Sequence, residues 1–277
     1  MDDRLPKADA RSMQTLIVPG GRGWLWLSAG FRLFRRNPPV LALLVVFYWV
    51  LMGIINVVPV IGPIAASICI PVFSVGIMNA CRSIDRNSDA ENARMAGFPY
   101  LFSAFRENPG PLLALGGLYL VLTVLILGIS SFADGGTLWQ LMMGESPKRE
   151  ALEDPGFLLA AQVALVLMTP VIMAYWYAPV LVAWHGFSPA KALFFSFFAC
   201  LRNWRAFLAY SISLAVWGAI LPGIVLGVLG GLISGAAFLL ALLSAPILLI
   251  LAPTVFASFY VTYREVFATD DSVDVLA

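Results

Sequence analysis

From Ala206 to Tyr263 the chain reads AFLAYSISLAVWGAILPGIVLGVLGGLISGAAFLLALLSAPILLILAPTVFASFYVTY, 58 residues without one Asp, Glu, Lys or Arg. Roughly 20 apolar residues let a helix cross the hydrocarbon of a bilayer. Three more charge-free runs precede this one: Asn37–Cys81, Asn108–Ala133 and Pro155–Ala190. In hydrocarbon every backbone N–H and C=O must be paired inside the protein, and apolar runs with no alternating polar face manage that only as helices. The sequence therefore specifies an all-α, polytopic membrane protein. Composition agrees, with 60% of the 277 residues hydrophobic and 12% charged, against roughly 45–50% and 25% in a soluble domain.

Asn37–Cys81 has room for two helices, and Pro59, Gly62 and Pro63 supply the reversal between them. The predicted spans are 38–58, 60–80, 109–132, 157–184, 206–229 and 236–263, with the last turn at Gly230 and Gly231. The 58-residue run is also close to the length of three short spans, so five or seven crossings stay open beside six. A disordered tail over 1–20 and an acidic tail over 265–277 are expected to flank a single membrane domain, 21–264. Asp2, Asp3 and Asp9 lie in the 36 residues before the first apolar run, unlike a short basic segment ahead of a cleavable core. No signal peptide is expected.

Orientation follows from where the basic residues fall. With six spans, one side carries Arg4, Lys7, Arg11, Arg22, Arg32, Arg35, Arg36, Arg82, Arg86, Arg94, Arg106, Lys191, Arg202, Arg205 and Arg264. The other side carries Lys148 and Arg149. Fifteen against two is a positive-inside bias that predicts both termini in the cytoplasm. The opposite loop, Ala133 to Asp154, is acidic.

Ahead of the odd spans the chain reads FRLFRRNPP (Phe31–Pro39), FSAFRENPG (Phe102–Gly110) and FACLRNWRA (Phe198–Ala206). Asn37 and Asn108 each precede a proline, the pattern of an N-cap followed by a first helical residue that needs no N–H partner; Asn203 before Trp204 is given the same role. The even spans carry the proline pairs Pro63 and Pro71, Pro170 and Pro179, and Pro246 and Pro253. One hairpin used three times, in parallel orientation, would give this pattern.

Each hairpin is predicted to follow an amphipathic interfacial helix, at 22–36, 97–107 and 189–202. Phe98, Leu101, Phe102 and Phe105 fall at helical spacing, as do Leu193, Phe194, Phe197, Phe198 and Leu201; Trp24, Leu27, Phe31 and Phe34 line the first. Such helices would form a basic aromatic collar. Its headgroup contacts would be Arg32, Arg35, Arg36, Arg106, Arg202 and Arg205, each worth about 1 kcal/mol toward anionic lipid. Equally, the helices could simply anchor and orient the spans.

Gly223, Gly227, Gly231 and Gly235 recur every four residues, a smooth ridge suited to helix packing within the chain or between copies. Prolines free carbonyls in a helix, so Pro71, Pro170 and Pro253, with Asn56 and Gln162, are candidates to line a shared cavity. His185 has no second histidine to share a metal, and Cys69, Cys81 and Cys200 lack zinc spacing, so neither metal nor cofactor is expected. No ionisable group sits within the spans for proton coupling, and no hydrolase, metalloprotease or nucleotide-binding motif occurs.

The stretches GRGWLWLSAGFRLFRRNPP, IMNACRSIDR and MAYWYAPVLVAWHGFSPAKAL resemble a family of uncharacterised proteobacterial inner-membrane proteins, over about Gly20 to Phe267. More distantly, the hairpins are similar to the membrane portion of some glycerophosphodiester phosphodiesterases. The soluble catalytic barrel of those enzymes has no counterpart in these 277 residues, so that activity is not implied. The resemblance implies a multi-pass protein of the bacterial inner (cell) membrane. The expected role is non-enzymatic: scaffolding a membrane protein partner or organising lipid, with no nucleic acid involved. A permease or channel for a small neutral or amphiphilic solute is the competing expectation.

Overall fold

The computed structural model describes residues 15–86, 98–107, 109–232 and 237–267. Their helices are α1 (Arg22–Phe34), α2 (Pro38–Asn56), α3 (Ile61–Arg86), α4 (Ser103–Glu107), α5 (Pro109–Asp134), α6 (Thr137–Met142), α7 (Arg149–Glu153), α8 (Pro155–His185), α9 (Pro189–Arg202), α10 (Trp204–Ala215), α11 (Leu221–Leu232) and α12 (Ala237–Val266). Six helical segments are long and apolar enough to cross a membrane: α2, α3, α5, α8, the α10–α11 unit and α12.

The first hairpin reverses where the prolines and glycine place it. α2 ends at Asn56, Val60 takes a left-handed conformation (φ 64°), and Gly62 meets the Ile55 carbonyl too closely for a side chain. The last hairpin differs from expectation. Helix continues through Gly230 and Gly231 to Leu232 and resumes at Ala237, so those glycines do not make the turn. Between α10 and α11 a π-helical turn, Val216–Ile220, precedes Pro222, which has no N–H for the α-helical ladder. The other prolines leave their helices continuous. Pro71, Pro170, Pro179, Pro246 and Pro253 all lie inside α3, α8 or α12, as membrane helices tolerate when neighbours satisfy the freed groups.

The second helices of the hairpins, α3, α8 and α12, meet at the centre. Trp184 of α8 packs edge-on against Tyr260 and Tyr263 of α12, and Trp176 against Phe259. α12 also packs on α3, and α3 on α8. The segment ahead of each hairpin lies on the second helix of the preceding one. α4 packs on α3, α9 on α8, and α1 on α12, which closes a cycle.

These crossings are built from small residues. A Cβ on Gly30 would lie 2.5 Å from Ser258, five residues after Pro253; one on Gly76, five after Pro71, would lie 2.5 Å from the Leu101 carbonyl. Gly23 approaches the Ala206 carbonyl of α10 even more closely. In the third crossing the Ser196 hydroxyl of α9 accepts from Tyr177 N–H (2.9 Å) and donates to the Met173 carbonyl (2.8 Å), inserting between two backbone groups of α8 one turn apart.

α1 buries Gly23, Trp26, Leu27, Gly30, Leu33 and Phe34 and exposes Trp24, Leu25 and Phe31. α9 buries Ala192, Ser196, Ala199 and Cys200 and turns Phe194 and Phe198 outward. The helix expected over 97–107 is a 3-10 turn, Phe98–Tyr100, followed by α4. The opposite loop holds two short helices, α6 and α7, that composition did not announce.

Candidate functional site

Four positions along the chain converge where α1 ends, α3 ends and α12 ends. Asp85, close to the end of α3, accepts from Arg36 Nη1 (3.1 Å), Arg264 Nη1 (2.7 Å) and the Tyr260 hydroxyl (3.1 Å). Arg36 Nη1 also donates to the Asp85 carbonyl at 3.2 Å. The next residue after Arg264 builds a second clamp at the other end of α1. Glu265 accepts from Arg22 Nη2 (2.9 Å) and Nε (3.3 Å) and from Trp26 Nε1 (2.8 Å). Both carboxylates are largely buried while their arginines stay about half exposed.

A cavity of about 250 Å³ opens beside the first clamp, lined by Ala29, Arg32, Leu33, Arg36, Asp85, Val261 and Arg264. Three arginines and one carboxylate are among the residues that line it. Arg32 has no ion pair or hydrogen bond among the described residues.

The six arginines expected to meet headgroups are all exposed, on α1, α4, α9 and α10 or the residues joining them. Arg35 lies over Phe31 (6.0 Å) and Arg205 over Trp204 (5.5 Å); Arg202 donates to Thr15 at 3.2 Å. Among the described residues only Arg36 of the six is spent on an ion pair. Asp85, Glu265 and Arg264 were outside the sequence-derived set. Their signal was present as charged residues at the ends of even spans, but which pairs with which depends on the helix cycle.

Asn203 has a different task from the helix cap expected of it. Its side chain makes no cap bond; Oδ1 accepts from Val18 N–H (2.7 Å), and Nδ2 donates to the Leu16 and Ala199 carbonyls (3.0 Å each). Leu16 N–H donates to the Val266 carbonyl at 3.0 Å. Residues 15–18, assigned to a disordered tail, are thus fastened across α9, α10 and α12. Asn37 likewise makes no side-chain cap bond, and Asn108 lies outside the described residues.

The candidate cavity residues have different surroundings. Pro71 and Pro253 are buried, whereas Pro170, Gln162 and Asn56 are exposed, and Asn56 Nδ2 is spent on the Met52 carbonyl (2.8 Å). None of the five lines the arginine cavity or a smaller apolar one of about 80 Å³ beside Leu112 and Phe187. Of the glycine ridge, a Cβ at Gly223 or Gly227 would meet nothing within 4 Å among the described residues. Gly231 continues α11, and Gly235 lies outside the described residues. His185 Nε2 shares a hydrogen bond with the Tyr263 hydroxyl. Beside it, Trp184 Nε1 donates to Asn79 Oδ1 (2.7 Å) under the Arg82 guanidinium (4.6 Å).

Fold and site together define a polytopic α-helical membrane protein in which most of the described basic residues gather at one end of the helix assembly. A probable inner membrane protein of Burkholderia thailandensis is 38% identical over 269 residues, which cover 94% of this chain and 96% of that one. The chain belongs to the family of that protein and is a multi-pass inner-membrane protein. No family model matches the chain, and no solved structure matches it.

Proposed function

We propose that the protein is a non-enzymatic scaffold that organises anionic lipid at the cytoplasmic face of the inner membrane, with both termini on that face. The observation that carries this reading is the set of exposed arginines on α1, α4, α9 and α10, five of the six free of ion pairs among the described residues. Aromatic side chains turned outward beside them, Phe31, Phe194, Phe198 and Trp204, suit the headgroup level. A membrane protein partner seated on the same face would use the same charges. The likeness to the membrane portion of glycerophosphodiester phosphodiesterases contributes the hairpin pattern to this reading and no reaction.

Native mass spectrometry of the detergent-released protein tests it. Replacing Arg35, Arg106, Arg202 and Arg205 together by Gln is expected to lower retained phosphatidylglycerol and cardiolipin while phosphatidylethanolamine is unchanged. Unaltered retention of the anionic lipids would overturn the lipid role.

A further inference from the structure

The cavity beside Asp85 has a charge balance that the rest of the basic face lacks. Arg32, Arg36 and Arg264 contribute three positive charges and Asp85 one negative, leaving a formal surplus of two. Asp85 occupies one terminal nitrogen each of Arg36 and Arg264, so its carboxylate aims the two forks without consuming them. Among the described residues their Nε and Nη2 groups have no acceptor, nor has any donor of Arg32. Arg32 and Arg264 stand in the last turns of α1 and α12, where the helix dipole favours a cation, but that uses none of their N–H donors. Only Arg36 reaches a carbonyl at a helix end, that of Asp85; Arg32 and Arg264 reach none. Ala29, Leu33 and Val261 give the cavity an apolar wall.

Planar guanidinium forks match phosphate oxygens in pairs. A phosphate carried as a monoester has a charge of about −1.5 to −2 near neutral pH and three acceptor oxygens, whereas a diester carries a single charge. We propose that this cavity is a binding site for a phosphomonoester group, presented by a lipid headgroup such as that of phosphatidic acid or by a soluble phosphate ester. The assignment rests on the reading of the basic face as an anion-recognising surface and narrows it to one site and one ligand chemistry. Arg32 supplies the unspent donors, Arg36 and Arg264 close on the phosphate from two sides, and Asp85 is a positioning residue that fixes their directions.

The full chain in phosphatidylcholine nanodiscs is titrated with phosphatidic acid, phosphatidylglycerol and glycerol 3-phosphate, and binding is followed by native mass spectrometry and thermal shift. Phosphatidic acid or glycerol 3-phosphate is expected to bind in preference to phosphatidylglycerol, and the member of the pair that does so identifies the source. Arg32→Gln, which breaks no internal contact, is expected to weaken that binding about fivefold, the value of about 1 kcal/mol for one cation. Arg264→Gln is expected to do the same, and Lys148→Gln, exposed in the opposite loop, to leave it unchanged. Equal binding of monoester and diester, or full monoester binding by Arg32→Gln, would overturn the site. If the quadruple Gln variant still loses phosphatidylglycerol in that case, the general lipid reading survives the failure of the cavity; if it does not, both fall.

Discussion

Gly30 of α1 crosses Ser258 of α12 so closely that a Cβ on the glycine would lie 2.5 Å from both the Ser258 Cβ and its backbone nitrogen. Backbone atoms cannot rotate aside, so relief would require α1 to move from the centre of the fold. Gly223 of α11 offers the opposite environment, where an added Cβ would meet nothing within 4 Å among the described residues.

A sign difference between two identical substitutions follows. Gly30→Ala is expected to destabilise the protein by about 1–3 kcal/mol through overpacking. Gly223→Ala relieves helix flexibility without a clash and is expected to be neutral or stabilising by about 0.5–1 kcal/mol. Thermal unfolding in dodecyl maltoside, followed by tryptophan fluorescence, distinguishes the two; a lower transition for Gly223→Ala would place a neighbour against α11.

The contrast between these glycines also marks where sequence reading stopped. Charge-free runs locate every long helix, because hydrocarbon permits few alternatives. The regular series Gly223, Gly227, Gly231, Gly235 stands out by its period, yet at the two members whose surroundings are described an added Cβ would meet nothing among the described residues. Gly23, Gly30 and Gly76, the residues that let helices cross, have no such period, since each meets a different partner. Likewise Arg32 and Arg36 were legible as basic residues before a span. Their shared cavity was not, because Asp85 and Arg264 reach it only through the packing of α1 on α12 and of α12 on α3.

Glu265 holds the opposite end of α1 through Arg22 and the fully buried Trp26. Glu265→Gln keeps the shape and removes the charge that both donors use. Hydrogen bonds to charged groups contribute about 1.5–3 kcal/mol, and the half-exposed Arg22 contributes toward the lower end of that range. A fall in unfolding temperature is expected, with a larger fall for Glu265→Ala; no change in either variant would show that α1 is held by its apolar face alone.

Asn203 fastens residues 16 and 18 with three buried or half-buried hydrogen bonds, two of them to that segment. Asn203→Ala removes all three and leaves the Val18 N–H and Leu16 carbonyl to water. Limited proteolysis of the variant in detergent is expected to cut before α1 several-fold faster than in the parent protein, while the spans remain protected, in keeping with a loss of about 1–3 kcal/mol for partners left unpaired. Asn203→Asp retains the acceptor for Val18 and is expected to fall between the two. Equal cleavage rates for all three proteins would mean that Leu16 N–H to Val266 suffices to hold the strap.

The proposed orientation rests on the cost of moving arginine across the bilayer rather than on any single contact. Arg36 and Arg264 both touch Asp85, so the start of α2 and the ends of α3 and α12 share one face of the assembly. The loop between α5 and α8, with Lys148 and Arg149 as its only basic residues, lies at the far end of those two helices. Fifteen basic residues against two favours the arginine-rich face remaining in the cytoplasm. Alkaline phosphatase fused after Glu145 is therefore expected to be active, and a fusion after Ala277 inactive; the reverse pair of activities would invert the protein and remove the arginine cavity from the cytoplasmic leaflet.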